Sequence, residues 1–210
     1  MTGRDTVQFI DSSAIISTLG GLSFQNYISD KSHGRFRVSP LVLTEVKDEY
    51  VRKLARLRKK AGSFFPTDAL PPPQDFITKI QAHLLSMGVE VVETADVTAD
   101  TIASLLSGRQ LGGPPRQGDL ADILHALTLA REVVKIGCDG ILITGDGAFF
   151  QARKNTRQQA RLPENLMPLS SHYANILHGL HPEIETRRIT VLDPKVLPLF
   201  GYHESSEKKA

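Results

Sequence analysis

Four carboxylates stand where a catalytic site is built. Asp11 follows the strand-like run Thr6-Val-Gln-Phe-Ile, and Asp146 follows Ile141-Leu-Ile-Thr-Gly. Glu45 lies in the first turn expected after Pro40, and Asp122 opens the helix expected after Gly118. In a parallel sheet, strand ends and helix starts converge at one edge. Carboxylates brought together there repel one another unless something positive sits between them. A hard dication does that, and an all-oxygen donor set suits Mg²⁺ or Mn²⁺. Such an ion also binds phosphate, so the chemistry is phosphoryl transfer or phosphodiester hydrolysis. Asp and Glu also favour helix N-termini for dipole reasons, so each acid alone reads as a cap or a solvated charge. The conjunction is stronger, because two of them end apolar strands, where a bare carboxylate is costly. His125 follows Asp122 at i+3 and could touch the site; on its own it reads as a polar residue facing a neighbouring helix.

The elements that must position these acids follow from pattern and punctuation. Strands are expected at Thr6–Ile10, at Phe36 onward, at Val89–Val92, at Ile141–Thr144 and at Arg188–Leu192. Ser39 or Thr44 can cap the long helix at about 41–61, with Pro40 in its first turn. Further helices are expected at Asp75–Leu85, Thr98–Leu106, about 118–134 and Ser171–Leu180. Pro66, Pro71, Pro72 and Pro73 mark a loop, and Gly112-Gly-Pro-Pro marks a second. Strands alternate with helices, which predicts an α/β fold with a mostly parallel sheet. We expect one domain over 1–203, with a long middle segment at about 61–115, and a disordered tail at 204–210.

Composition narrows the class. The 210 residues are 40% hydrophobic and 23% charged, which argues against disorder, collagen and coiled coil. Apolar runs fall far short of a membrane span, and residues 1–8 carry no apolar leader core, so a cytoplasmic protein is expected. A single cysteine, Cys138, makes no internal disulfide and fits a reducing compartment. The net charge of +2 says little about partners, so local clustering must carry that argument.

Four segments taken together resemble the PIN-domain nucleases. They are Phe9-Ile-Asp-Ser-Ser-Ala-Ile, Ser39-Pro-Leu-Val-Leu-Thr-Glu-Val, Leu120-Ala-Asp-Ile-Leu-His-Ala-Leu-Thr-Leu-Ala and Leu142-Ile-Thr-Gly-Asp-Gly-Ala-Phe-Phe. They occur in the family's order and span about two thirds of the chain. The resemblance implies a Rossmann-like three-layer sandwich and metal-dependent endonucleolytic cleavage of RNA. It implies that Asp11, Glu45, Asp122 and Asp146 hold one or two Mg²⁺ or Mn²⁺ ions. The ion would activate a water for in-line attack, leaving 5′-phosphate and 3′-hydroxyl ends. Thr144 matches a Ser/Thr whose hydroxyl orients the site, and Ser12 and Ser13 can donate hydrogen bonds there. Asp119 shares a helix face with Asp122; the motif favours Asp122 as ligand and leaves Asp119 as a cap or an additional ligand. Some members carry another acid after the last one; residues 147–150 here are Gly-Ala-Phe-Phe, which weakens the case for a second metal. The long middle segment resembles larger bacterial PIN-like proteins.

Two basic segments flank the acids. Lys47–Lys60 carries seven basic residues against two acids, and Gln151–Arg161 carries Arg153, Lys154, Arg157 and Arg161 with none. A phosphodiester backbone needs such flanks, although a charge run also reads as a solvated helix face. Arg116, on the loop before Gly118, is a further candidate phosphate contact. Aromatic residues are 6% with no Trp, so base readout cannot be argued. The resemblance implies RNA as the substrate and an antitoxin-like protein as a candidate partner; a second copy of the chain is a further candidate, and no membrane is expected. The rival readings are a catalytically weak PIN-like module that binds RNA or protein, and a haloacid-dehalogenase-like phosphatase. The phosphatase pattern wants an Asp two residues after Asp11, where Ser13 stands, and an acid near Phe150.

Overall fold

The computed structural model describes residues 6–18, 21–61, 70–98, 101, 117–149, 166–186 and 188–200. Six strands form one sheet: β1 (Thr6–Ile10), β2 (Arg35–Val38), β3 (Glu90–Val91), β4 (Asp139–Ile143), β5 (Met167–Pro168) and β6 (Ile189–Leu192). Their order is β3-β2-β1-β4-β6-β5, and every pairing is parallel except β5 on β6. The helices are α1 (Ser12–Thr18), α2 (Leu22–Ser29), α3 (Pro40–Ala61), α4 (Pro73–Ser86), α5 (Gln117–Ile136) and α6 (Ser171–Leu180). The fold is α/β with a mostly parallel six-stranded sheet, as a Rossmann-like three-layer sandwich requires.

Residues 7–10 of β1 are all buried, so helices cover both faces of the sheet. The register sets Val7 beside Gly140 and Phe9 beside Leu142. On that face lies α5: a Cβ added to Gly140 would come within 2.6 Å of Val133 and 3.2 Å of Leu129. The backbone of Gly140 does not need glycine, since its φ is not positive. The missing side chain is what lets the helix sit so close. On the opposite face Gln8 accepts from the Tyr27 hydroxyl of α2 at 2.8 Å and donates to the His33 carbonyl.

A buried ion pair sits in this core. Arg37 is on the α5 face of β2, paired with Glu90 of β3 and with Glu132 of α5, Nε to Oε2 3.9 Å. The ion group ties an outer strand pair to the helix that carries part of the site.

Most expected elements are present, with shifted ends. Ser39, not Thr44, caps α3: its Oγ accepts from the Val42 N–H at 3.4 Å, while Thr44 donates to the Pro40 carbonyl. β3 has two residues instead of four. α5 begins at Gln117, so Asp119 is its third residue and not its cap. The helices α1 and α2 and the strand β5 had no expectation in the sequence. Most of Thr98–Leu106, residues 62–69 and 102–115 of the middle segment, and the 204–210 tail lie outside the described residues. No helix among the described residues is long and apolar enough to cross a membrane. Cys138 is buried just before β4.

Candidate metal centre

Asp11 follows β1 directly, and its N–H donates to the Ile143 carbonyl of β4 at 3.0 Å. Residues alternate faces along a strand, so Asp11 shares the parity of Phe9 and aims towards α5. Glu45 comes from the start of α3, where the Ser39 cap and Pro40 fix the helix. His125 comes from α5, packed against the Phe9 ring with centroids 6.0 Å apart. One ligand atom from each of Asp11, Glu45 and His125 lies within 4.8 Å of the others, and this group can hold a metal ion. Asp11 is buried, His125 is fully buried and Glu45 is half-buried.

The two oxygens of Asp11 have different neighbours. Oδ2 accepts from the Ser13 and Thr144 hydroxyls, both at 2.7 Å, and from the Ser13 N–H at 3.3 Å. Oδ1 faces His125 Nε2 at 3.5 Å, with the Ser12 hydroxyl also 3.5 Å away. The donors on one side fix the carboxylate and leave the other oxygen turned towards the cluster. Thr144 does double duty, since its Oγ1 also accepts from the Asp146 N–H at 3.0 Å. Ser13 Oγ accepts from the Gly145 N–H at 2.9 Å, which joins α1 to the loop after β4.

His125 Nε2 lies 2.7 Å from Glu45 Oε2. Burial works against a charged imidazolium, but the Glu45 hydrogen bond and the charges of Asp11, Glu45 and Asp122 outweigh it and raise the His125 pKa. Burial likewise opposes the Glu45 carboxylate, yet His125 and the Ser12 hydroxyl hold its pKa below the ordinary value. Nδ1 of His125 is buried with no hydrogen-bond partner.

The other two expected acids stand around this group and not inside it. Asp122 accepts from the Tyr173 hydroxyl of α6 at 3.2 Å. Burial, then the charges of Asp146 and Asp11, push its pKa up to about 7. Asp146 is exposed, and its Oδ1 accepts from the Ala148 N–H at 2.8 Å. Asp122 therefore acts on His125 through its charge, and Asp146 acts on Asp122. The backbone of Asp119 is in the first turn of α5; its side chain lies outside the described residues, as do Arg116, Arg153, Lys154 and Arg157.

The sequence reading of His125 needs correction. It does not simply face a neighbouring helix; it bridges Asp11 and Glu45. The i+3 spacing from Asp122 was the available signal, because it puts both residues on one face of α5.

The centre opens into a cavity of about 300 Å³. Ser12, Ser13 and Gly145 line it, together with the charged side chains of Glu45, Glu49, Arg52 and Lys195. Most other basic residues of α3 are exposed along the helix, the solvated-face reading, although Lys47 is half-buried and donates to Gln74. No family model matches the chain, and no curated protein matches it.

Proposed function

We propose that the chain is a PIN-like, divalent-metal-dependent endoribonuclease. The observation that carries this is Asp11: hydroxyl donors occupy Oδ2, Oδ1 is turned to His125, and a ligand atom of Glu45 lies within 4.8 Å, all at the carboxyl edge of a parallel sheet. Donors on the outer oxygen of a ligand are what orient it for an ion. A ligating histidine ordinarily donates its second nitrogen to a carboxylate or carbonyl, and Nδ1 here has no such partner. We therefore assign the ion to Asp11 and Glu45, with His125 positioning Glu45 through Nε2. That leaves an oxygen donor set, which suits Mg²⁺ or Mn²⁺.

A divalent ion held there would neutralise phosphodiester charge and acidify a water. The chain's own residues do the rest. Ser13 and Thr144 hold Asp11, His125 holds Glu45, and Asp122 and Asp146 add negative charge that favours a cation. Arg52 and Lys195 put positive charge at the mouth, where a phosphate backbone would enter.

The test is degradation of mixed end-labelled RNA with Mn²⁺, with EDTA, and by Asp11→Asn. Cleavage only by the native protein with Mn²⁺, leaving 5′-phosphates, is the expected result. No cleavage by folded, metal-loaded protein would overturn the enzyme reading in favour of a binding module.

A further inference from the structure

Building on the nuclease reading, we infer that the cavity above the metal centre holds a second phosphate of the nucleic-acid strand, next to the one cleaved, gripped by Lys195 and Arg52.

Lys195 belongs to the 3-10 segment Pro194–Phe200 that follows β6, two strands from β1. Its backbone is well anchored. Its N–H donates to Asp193 Oδ1 at 3.0 Å, and Pro194 and Leu197 beside it are buried. The side chain is exposed at the cavity edge and forms no ion pair among the described residues. A fixed backbone carrying an uncommitted ammonium at the mouth of an acidic centre is placed for an anion. Arg52, from α3, lines the same cavity. Its Nε pairs with Glu49 at 3.2 Å, which leaves the terminal nitrogens of a five-donor group available.

Gly145 supplies the room. A Cβ there would point into the cavity, 3.8 Å from Ser13 Oγ, 3.8 Å from Ser17 Oγ and 4.0 Å from Lys195 Cε. Its φ is not positive, so the backbone would accept a side chain. Space, not conformation, is what the glycine provides. The serines are already committed: Ser17 Oγ donates to the Ser13 carbonyl at 2.6 Å, and Ser13 Oγ donates to Asp11. The two cations are thus the donors left for a ligand. Two separated cations and a cavity shared with Glu45 fit a charged backbone that runs on from the centre.

The experiment measures binding of a short labelled single-stranded RNA in EDTA on an Asp11→Asn background, where nothing is cleaved. Lys195→Gln and Arg52→Gln should each weaken binding roughly three- to tenfold and flatten the slope of log K against log salt by up to about 0.7, the value for one phosphate on a single strand. Lys195→Arg should restore both, and Gly145→Leu should weaken binding with Lys195 intact. Inorganic phosphate at millimolar concentration should compete poorly. Unchanged affinity and slope in a folded Lys195→Gln/Arg52→Gln protein would overturn the inference. So would full displacement of the RNA by inorganic phosphate, which would make this a site for the free anion. Cleavage plays no part in the readout. A native protein that cuts no RNA but shows the Lys195-dependent slope would sink the nuclease reading and leave the phosphate site standing.

Discussion

Thr144 shows how little separates a metal ligand from a misplaced carboxylate. Its buried hydroxyl donates to Asp11 Oδ2 and accepts from the Asp146 N–H, so one oxygen orients one acid and tethers the loop of another. Thr144→Val keeps the shape and deletes both bonds. Mn²⁺ affinity should fall about 10- to 100-fold with the fold intact, as calorimetric titration would show. Asp122 gives a prediction of opposite sign for stability. Its folded pKa, about 7, stands above its ordinary value of 3.8. In metal-free protein its contribution is therefore complete below about pH 4 and is lost as pH rises through about 7. His125, also raised, acts in the same direction; Glu45, lowered, acts against it. In EDTA, Asp122→Asn should raise Tm at about pH 8 and change it little near pH 4, by about 2–4 °C per kcal/mol of burial penalty and repulsion removed. A Tm gain equal at both pH values would show that the buried, repelled charge of Asp122 is not the cause. The acids themselves were legible because carboxylates ending apolar strands need a reason. For His125 the sequence leaves two readings, contact with the site or packing against a neighbour, because its role depends on Glu45, 80 residues away.

At the scale of elements, the legible ones were those whose burial leaves a pattern. β1, β4 and β6 are covered on both faces and read as apolar runs; α3 has a cap and a proline at its start. The helix α2 has Gly21 at its cap with no side-chain hydrogen bond and is eight residues long, so neither end is marked. β5 is two residues, one of them Pro168, paired only at the sheet edge. Tyr50 and Phe76 stack 3.9 Å apart between α3 and α4, a contact that no local spacing reveals. The Arg37 group is likewise a product of three separate elements. Arg37→Ala should cost about 3 kcal/mol by leaving Glu132 buried, at the low end of such losses because Arg131 remains 3.6 Å from Glu132. An Arg37→Met/Glu132→Leu pair should recover most of that loss in urea denaturation, because no orphan charge remains.

For the molecule as a whole, the close approach of α5 to the sheet reaches well beyond packing. Asp122 and His125 ride on α5, whereas Asp11 rides on β1. The gap between the strand that carries Asp11 and the helix whose His125 holds Glu45 is thus gauged at Gly140, at the far end of α5 from His125. Gly140→Ala would wedge that end open against Val133, at a cost of about 1–3 kcal/mol. Mn²⁺ binding should weaken although no ligand has been touched, and Gly140→Ala/Val133→Ala should regain affinity along with Tm. Loss of Tm with unchanged affinity would show that the two ends of α5 are mechanically independent. Affinity that falls and recovers with Tm would mean that the candidate centre is calibrated from its hinge side: a single absent methyl group acts as a shim that sets how far His125 stands from Asp11.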